Sequence, residues 1–391
     1  MGNAPSLRGL LAAVASVALA ASLTGCSEST PGRPTGGLAI VLGAHGNMPP
    51  AGLDGVAAQV LDNAVESQAL VSIVVADGAP HPLGTSQLRT TGEDDDARQA
   101  SEAANRRELD EDIASAAART PETDLLSALG LAAREIAAAP GRHTILVIDS
   151  GLSTSGAVDF RQAGLLDAAA DDLVASLRAA STLPDLSGTH VVYQGQGDIA
   201  APQGELGLAA RTQLVDLWTA VALAGGAIDV NVERTRLHGD PATELPAVSV
   251  VGAGDGLTCT ENTVVLDGGD VAFQADTAVF RDPAVATTTL QPVAERMKLP
   301  GVTGTLTGTT ADVGDDDGQR RLSRERAQTV ADLLQTLGVP AGTMTVIGLG
   351  SDFPGYVDDH DSQGGLLPGP AALNRKVIIE LTGTGTTVVC G

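Results

Sequence analysis

The chain has 391 residues and a formal net charge of −25 at pH 7. Such acidity opposes association with nucleic acid and other polyanions at long range, so nucleic-acid binding is excluded. The length suffices for two hydrophobic cores, because single domains usually stop growing near about 250–300 residues.

The N-terminal residues have the features of a bacterial lipoprotein signal peptide. Arg8 is the only charged residue before an apolar run from Leu10 to Leu23, which is too short to be a comfortable membrane span. The run closes in the lipobox pattern Leu23-Thr24-Gly25-Cys26, so we expect removal of residues 1–25 and acylation of Cys26, palmitate included. Multiple acyl chains anchor stably, because each buried methylene contributes about 0.8 kcal/mol. The alternative is an ordinary cleaved signal peptide with an incidental cysteine.

A short tether and an α/β domain are predicted next. Residues 26–37 are rich in Ser, Pro and Gly, which is typical of a flexible linker. Over residues 38–234, apolar runs typical of buried strands alternate with stretches of helical periodicity. The predicted strands are Leu38–Leu42, Leu70–Ala76, Thr144–Asp149, Thr189–Tyr193 and Ala227–Val232. This alternation predicts a Rossmann-like three-layer domain with a mostly parallel sheet covered on both faces.

Loops at the predicted strand ends resemble those of a von Willebrand factor A domain. That family binds a divalent cation through D-x-S-x-S after the first strand, a threonine in a second loop and an aspartate in a third. Thr123 and Asp149 match the second and third loops, but Gly43-Ala44-His45-Gly46-Asn47 replaces the first without its carboxylate or hydroxyls. A hard cation needs several oxygen ligands, and His45 favours softer metals. We therefore expect no metal and no cofactor, with the crevice at the strand ends retained.

Four motifs follow in order in the C-terminal part of the chain. They are Thr309–Gly314, Leu322–Ala327, Gly348–Pro354 and Asn374–Val377. They stand where the OmpA-like C-terminal domain of the peptidoglycan-binding kind has G-H-T-D-x-x-G, L-S-x-x-R-A, G-x-G-x-x-x-P and N-R-R-V. Through them the chain resembles that family, which implies a smaller α+β domain over residues 271–382. Residues 235–270 are predicted to be a linker and residues 383–391 a tail.

The resemblance implies a peptidoglycan site. In the family an arginine holds the carboxylate of diaminopimelate and an aspartate holds its amine; the arginine falls on Arg326 and the aspartate on Ala311, with Asp312 one residue late. A one-residue shift in an extended segment turns a side chain to the opposite face. The implied binding residues are Arg326, Asp312, Thr310, Asn374 and Arg375.

The position of Arg326 also predicts an anion site without the family. Ser323 is a good N-cap, which places Arg326 three residues into a helix, where free N–H groups and the macrodipole favour an anion. The alternative is a surface arginine paired with Glu325 or with the run Asp315–Asp317.

Cys259 and Cys390 are the two cysteines left once Cys26 is acylated. An even pair in an exported protein predicts a disulfide, which would tie the tail to the entry of the second domain. Free buried cysteines are the alternative.

The pattern as a whole predicts a non-catalytic envelope lipoprotein. We find no P-loop, no H-E-x-x-H and no cysteine cluster, which disfavours the enzymes that use them. The expected partners are a membrane through the lipid anchor at its extracytoplasmic face, peptidoglycan through the OmpA-like domain, and an unidentified protein. The alternative is a structural or assembly protein whose OmpA-like domain binds a protein and not the wall.

Overall fold

The computed structural model describes residues 36–241, 244–252, 257–385 and 387. The predicted signal peptide, the acylation site Cys26 and Cys390 lie outside these residues. The described residues belong to one compact unit. Among the described helices, none combines the length and the apolar character that a membrane span requires.

The first region, residues 36–232, alternates strands with helices. Its elements are β1 (Gly36–Leu42), α1 (Gly55–Glu66), β2 (Leu70–Val75), β3 (His81–Gln87), α2 (Asp95–Ala114), α3 (Leu125–Ile136), β4 (Arg142–Ile148), the short β5 (Thr154–Ser155) and β6 (Val158–Asp159), α4 (Ala170–Ala179), β7 (Thr189–Gln194), α5 (Leu208–Ala224) and β8 (Asp229–Val232). Six strands form a sheet in the order β3-β2-β1-β4-β7-β8. All neighbours pair in parallel except β3, which is an antiparallel edge.

Helices cover both faces of this sheet because its central strands are apolar on both sides. Every residue of β1 is buried. Leu38 and Ile40 pack in the cluster that contains α1 and α2, whereas Ala39 and Val41 pack in the cluster of α3, α4 and α5. Continuous apolar strands are typical of parallel sheets buried on two faces. The mixed α/β fold class predicted from the sequence is confirmed.

The second region forms a separate five-stranded sheet with the order β12-β11-β13-β10-β9. Its elements are β9 (Leu257–Thr260), β10 (Thr263–Leu266), α6 (Pro283–Met297), β11 (Thr303–Gly308), α7 (Asp316–Thr336), β12 (Met344–Gly348), α8 (Pro368–Asn374) and β13 (Val377–Thr382). Only β11 and β12 pair in parallel. The hairpin β9–β10 falls within residues 235–270, predicted to be a linker, yet it pairs with β13 and belongs to this sheet.

The core of the second region lies between its sheet and the two long helices α6 and α7. Leu290 and Val293 of α6 and Val330 and Leu334 of α7 pack there, with almost no exposed surface. Ahead of α6, Phe273 and Phe280 form a single antiparallel bridge, and their ring centres lie 4.8 Å apart in a stacked arrangement. The segment between them is a loop that lies over the middle of α7, where Arg326 and Thr329 donate to its backbone carbonyls.

Candidate functional site

Helix α7 begins earlier than the sequence predicted. Asp315 is the N-cap, and its side chain accepts a hydrogen bond from the Gly318 amide at 2.8 Å. Asp316 and Asp317 follow in the first turn, where negative charge complements the helix macrodipole. Ser323 lies inside the helix, where its hydroxyl donates to the Arg320 carbonyl and accepts from the Gly350 amide, both at 3.0 Å. The prediction that Ser323 caps the helix is wrong, because the aspartates start it about two turns earlier.

Arg326 consequently has no free helix N–H groups beside it and is buried. Its side chain is enclosed by the loop before α6: the Nε atom donates to the Thr277 carbonyl at 2.8 Å, and the guanidinium lies 5.5 Å from the Phe273 ring centre. Burial, with the nearby positive charge of Arg375, lowers the pKa of Arg326 to about 10. Only 5% of the residue is exposed, so Arg326 is not a surface arginine.

The aspartate run that the sequence offered as a partner for Arg326 pairs elsewhere. On the exposed side of α7, Arg320 Nη2 lies 3.7 Å from Asp316 Oδ2 and 3.6 Å from Asp317 Oδ1. The guanidinium of Arg326 faces inward instead. The aspartate run therefore does not pair with Arg326, and the carboxylate that interacts electrostatically with this guanidinium is that of Asp276.

The loop after β11 carries no carboxylate toward Arg326. Ala311, where the resembled family has aspartate, is buried. Asp312 is exposed; its amide donates to Asp359 at 3.0 Å, and its carboxylate accepts from Gln319 Nε2 at 2.9 Å. Thr310 is buried, and its hydroxyl has no hydrogen-bond partner among the described residues. Neither Asp312 nor Thr310 lines the cavity that Arg326 borders.

Asn374 and Asp359 hold the loop between β12 and α8 in place. Asn374 exchanges two hydrogen bonds with the backbone of Val357, at 3.0 and 2.7 Å, and donates a third to Asp359 at 3.0 Å. Asp359 also accepts from the Tyr356 hydroxyl and from His360. Burial alone would raise the pKa of the Asp359 carboxyl, but these hydrogen bonds hold that pKa below its usual value. Asn374 is thus structural, and sequence reasoning missed Asp359 because it stands in an unmatched acidic loop.

Arg375 meets Arg326 in a cavity between the two regions. The cavity has a volume of about 80 Å³, and its charged lining comes from both regions. Asp172 Oδ2, on α4 of the first region, lies 2.6 Å from Arg375 Nη2, whereas the buried Nη1 has no hydrogen-bond partner among the described residues. The lining also contains a third arginine, Arg281, and four further aspartates: Asp167, Asp171, Asp267 and, in the loop that covers Arg326, Asp276. Of the five predicted binding residues, the structure brings Arg326 and Arg375 together in this cavity.

Beside this cavity, the backbone of the first region packs closely against helix α8 of the second region. A Cβ atom on Gly164 would overlap the Gly369 carbonyl oxygen of α8, so only glycine permits this approach. Arg281 donates to the side chain of Gln213 on α5, and the Gly269 amide donates to Asp167 at 3.3 Å. The site is therefore built jointly by the two regions.

The matched metal-loop residues of the first region are engaged in internal contacts. Thr123 donates its hydroxyl to the Ala76 carbonyl at 2.6 Å, and Asp149 accepts from the Gly151 amide at 2.6 Å. A Cβ atom on Gly43 would overlap Asp149 Oδ2, so this carboxylate fills the space of the missing first-loop side chain. The described residues contain no group of three or more His, Cys, Asp or Glu arranged to hold a metal ion.

Cys259 lies on β9, opposite Val264 of β10. Its predicted disulfide partner, Cys390, is outside the described residues. The pairing stays a prediction.

Comparison with known proteins identifies relatives of the second region. A model of the OmpA family matches residues 272–363. Outer membrane protein A of Shimwellia blattae is 40% identical over 78 residues, which is 19% of this chain and 32% of that protein, so the chain spans about a third of that relative. The structure of the peptidoglycan-associated lipoprotein from Burkholderia pseudomallei is 26% identical, with a TM-score of 0.24, over 29% of this chain and 88% of that one. The periplasmic domain of Helicobacter pylori MotB is 18% identical, with a TM-score of 0.26, over 32% of this chain and 76% of that one.

Proposed function

From the OmpA-like domain that the C-terminal region contains, we propose that the protein is a non-catalytic component of the cell envelope that binds the wall through that domain. An acylated Cys26 holds it to the membrane, and the first region, resembling a von Willebrand factor A domain, serves as a protein-interaction domain. The observation that carries the wall-binding proposal is the convergence of Arg326 and Arg375 on one cavity.

Two neighbouring guanidinium groups favour a carboxylate ligand. The lowered pKa of Arg326 reflects burial and repulsion from Arg375, and both costs are relieved when an anion enters. A planar guanidinium matches a carboxylate with two parallel hydrogen bonds, and a hydrogen bond to a charged group contributes about 1.5–3 kcal/mol. Arg375 Nη1, buried and without a hydrogen bond among the described residues, is available for such a bond. The proposed ligand group is the carboxylate of the diaminopimelate in a wall peptide.

Binding is expected to be weak for two reasons. The amine of the ligand lacks the aspartate that Ala311 replaces. Arg375 already faces Asp172, and Arg326 already donates to Thr277, so a ligand must displace both contacts.

Co-sedimentation of the purified protein with diaminopimelate-containing peptidoglycan tests this proposal. Arg326→Lys and Arg375→Lys keep the charge but lose the planar fork, and each is expected to reduce the bound fraction severalfold. Ala311→Asp is expected to increase it, because the ligand amine gains an anion. Arg321→Ala removes an exposed arginine of the same helix and serves as the matched control. Absence of the wild-type protein from the pellet, without recovery by Ala311→Asp, would overturn wall binding.

A second candidate function is assembly through a protein partner, and the covering of Arg326 favours it. The loop over Arg326 and the α4 contact with Arg375 occupy the site from two sides. In that case peptidoglycan fails to retain the protein, and partners are recovered by cross-linking in intact cells. The same partners should then be recovered with Arg326→Lys.

The anchor is tested separately. Cys26→Ser removes the predicted acylation site, so the protein is expected to move from the membrane fraction to the soluble or secreted fraction. Unchanged membrane partitioning of this variant would rule out the lipid anchor while leaving the wall proposal intact.

A further inference from the structure

A second cavity lies in the first region, at the carboxyl end of β1. Its volume is about 210 Å³. The walls are apolar and come from four segments: the end of β1, the loop after it, the end of α2 and the end of β4. Leu42, Met48, Ile113 and Ile148 are buried members of this lining, and Leu245 closes another side. Open α/β sheets bind ligands at the carboxyl ends of their strands.

His45 is the one polar side chain that lines this cavity. Only 2% of the residue is exposed, and neither ring nitrogen has a hydrogen-bond partner among the described residues. The Nε2 atom lies 3.5 Å from Asp149 Oδ2, within range of an ion pair but without hydrogen-bond geometry. Because buried polar groups are normally hydrogen-bonded, a buried imidazole that lacks a hydrogen bond and lies beside a cavity indicates a ligand.

We propose that this cavity binds a small neutral molecule made of one apolar ring and one hydroxyl group, with the hydroxyl hydrogen-bonded to His45. The size fits, because an apolar cavity of roughly 150 Å³ accepts benzene, and this one is larger. A hydroxyl both donates and accepts, so it pairs with a neutral imidazole in either tautomer.

The surroundings of His45 select against charged ligands. The carboxylate of Asp149 is fully buried next to the imidazole, so it repels a carboxylate or phosphate ligand. Asp149 would attract a cation, but this carboxylate does not itself line the cavity, so a cation in the cavity would have no carboxylate ligand among the described residues. A neutral ligand requires no counter-charge and loses little hydration on entry. The proposal is independent of the wall-binding site, whose residues belong to the other cavity.

Methionine methyl NMR of the full chain reports binding directly. Met48 lines the cavity, whereas Met297 and Met344 lie in the second region and serve as internal controls. The probes are p-cresol and toluene, which differ by one hydroxyl. We expect a saturable shift of the Met48 signal with p-cresol, an affinity for toluene about five- to tenfold lower, and unchanged signals from Met297 and Met344.

Two variants separate the cavity from the hydrogen bond. His45→Leu is expected to make the affinities for p-cresol and toluene about equal. Ala116→Phe fills the mouth of the cavity and is expected to abolish the Met48 shift with both probes, which keeps the test valid if His45→Leu does not fold. No Met48 shift with either probe overturns the proposal, and so does equal affinity for the two probes in the wild-type protein.

Discussion

The two regions of this protein lack a carboxylate at comparable places and compensate for it differently. Gly43 in the first region and Ala311 in the second stand where the resembled families have aspartate. In the first region Asp149, from the neighbouring strand end, fills the space and lies beside His45. In the second region nothing from the same loop replaces the carboxylate, and Asp172 from the other region faces the arginines.

The two sites differ in which part of the chain contacts their buried charged side chains. In the first region, the buried Asp149 and His45 follow neighbouring strands of one sheet, so their contact is made within that region. The second region depends on a helix of its neighbour, so its arginines respond to how the two regions pack. Three substitutions and one addition of metal ions test this difference between the two regions.

The largest effect is expected from returning the lost carboxylate to the first region. Gly43→Asp inserts a side chain into the space of Asp149 and adds a second buried negative charge. Overpacking and an uncompensated charge together should lower the free energy of unfolding by about 4 kcal/mol or more, measured by chemical denaturation. Gly46→Ala is the control, because its nearest neighbours lie 3.9 Å from an added Cβ, and it should change stability by less than about 1 kcal/mol. Equal stability of the two variants would contradict the filled-space interpretation.

A smaller effect is expected from releasing Arg375. Asp172→Asn removes the carboxylate that faces this arginine, so a ligand carboxylate no longer competes with it. Affinity for diaminopimelate-containing peptidoglycan should rise about tenfold, equivalent to about 1.4 kcal/mol. Asp185→Asn removes the same charge from an exposed position of the first region that does not line this cavity, and it should leave affinity nearly unchanged. A similar rise with both variants would assign the effect to net charge instead of the contact.

The third prediction concerns pH and the second region alone. The pKa of Asp359 is held below its unfolded value, so its contribution to stability is present above about pH 4 and is lost as pH falls through the folded-state pKa. Asp359→Asn should flatten the dependence of unfolding free energy on pH below about 4, by a fraction of 1.4 kcal/mol per pH unit. Asp358→Asn, at the exposed neighbouring position, should keep the wild-type slope.

The last prediction is that added divalent cations have no effect on thermal stability. Magnesium, calcium and manganese should not raise the melting temperature of the full chain, because Asp149 is already engaged by Gly151 and packed against Gly43. A saturable shift that Asp149→Ala abolishes would show that the first region binds a metal despite its missing ligands.

Local patterns predicted the elements whose sequence carries its own signal. The apolar runs located β1, β2, β4 and β7, because buried parallel strands are apolar on both faces. A strand was also predicted at β8, but its burial was predicted wrongly: β8 is an edge strand whose residues are exposed or half-buried. The edge strand β3 was missed, since its residues are mostly exposed and it contains Pro82 and Gly84. The hairpin β9–β10 was assigned to a linker because its pairing partner, β13, lies far along the chain.

The site was predicted less completely because its geometry is tertiary. The family resemblance included Arg326 and Arg375 among five implied binding residues, and the structure places these two in one cavity. The spacing did not reveal that Thr277 and Phe273 enclose Arg326, or that Asp172 faces Arg375, because these contacts join segments far apart in sequence. The local sequence allows Ser323 to be an N-cap. Three consecutive aspartates upstream instead stabilise a helix that begins at Asp316.

The position of β1 determines how the first region would carry a mechanical load. This strand follows directly on the predicted tether and is hydrogen-bonded on both sides, to β2 and to β4, in parallel register from Gly37 to Leu42. Tension applied at its N-terminal end acts along the strand, so the hydrogen bonds of both ladders are sheared together and do not open one by one. Under the proposed attachment to membrane and wall, the first region would therefore resist extension at β1, where two ladders of hydrogen bonds share the force.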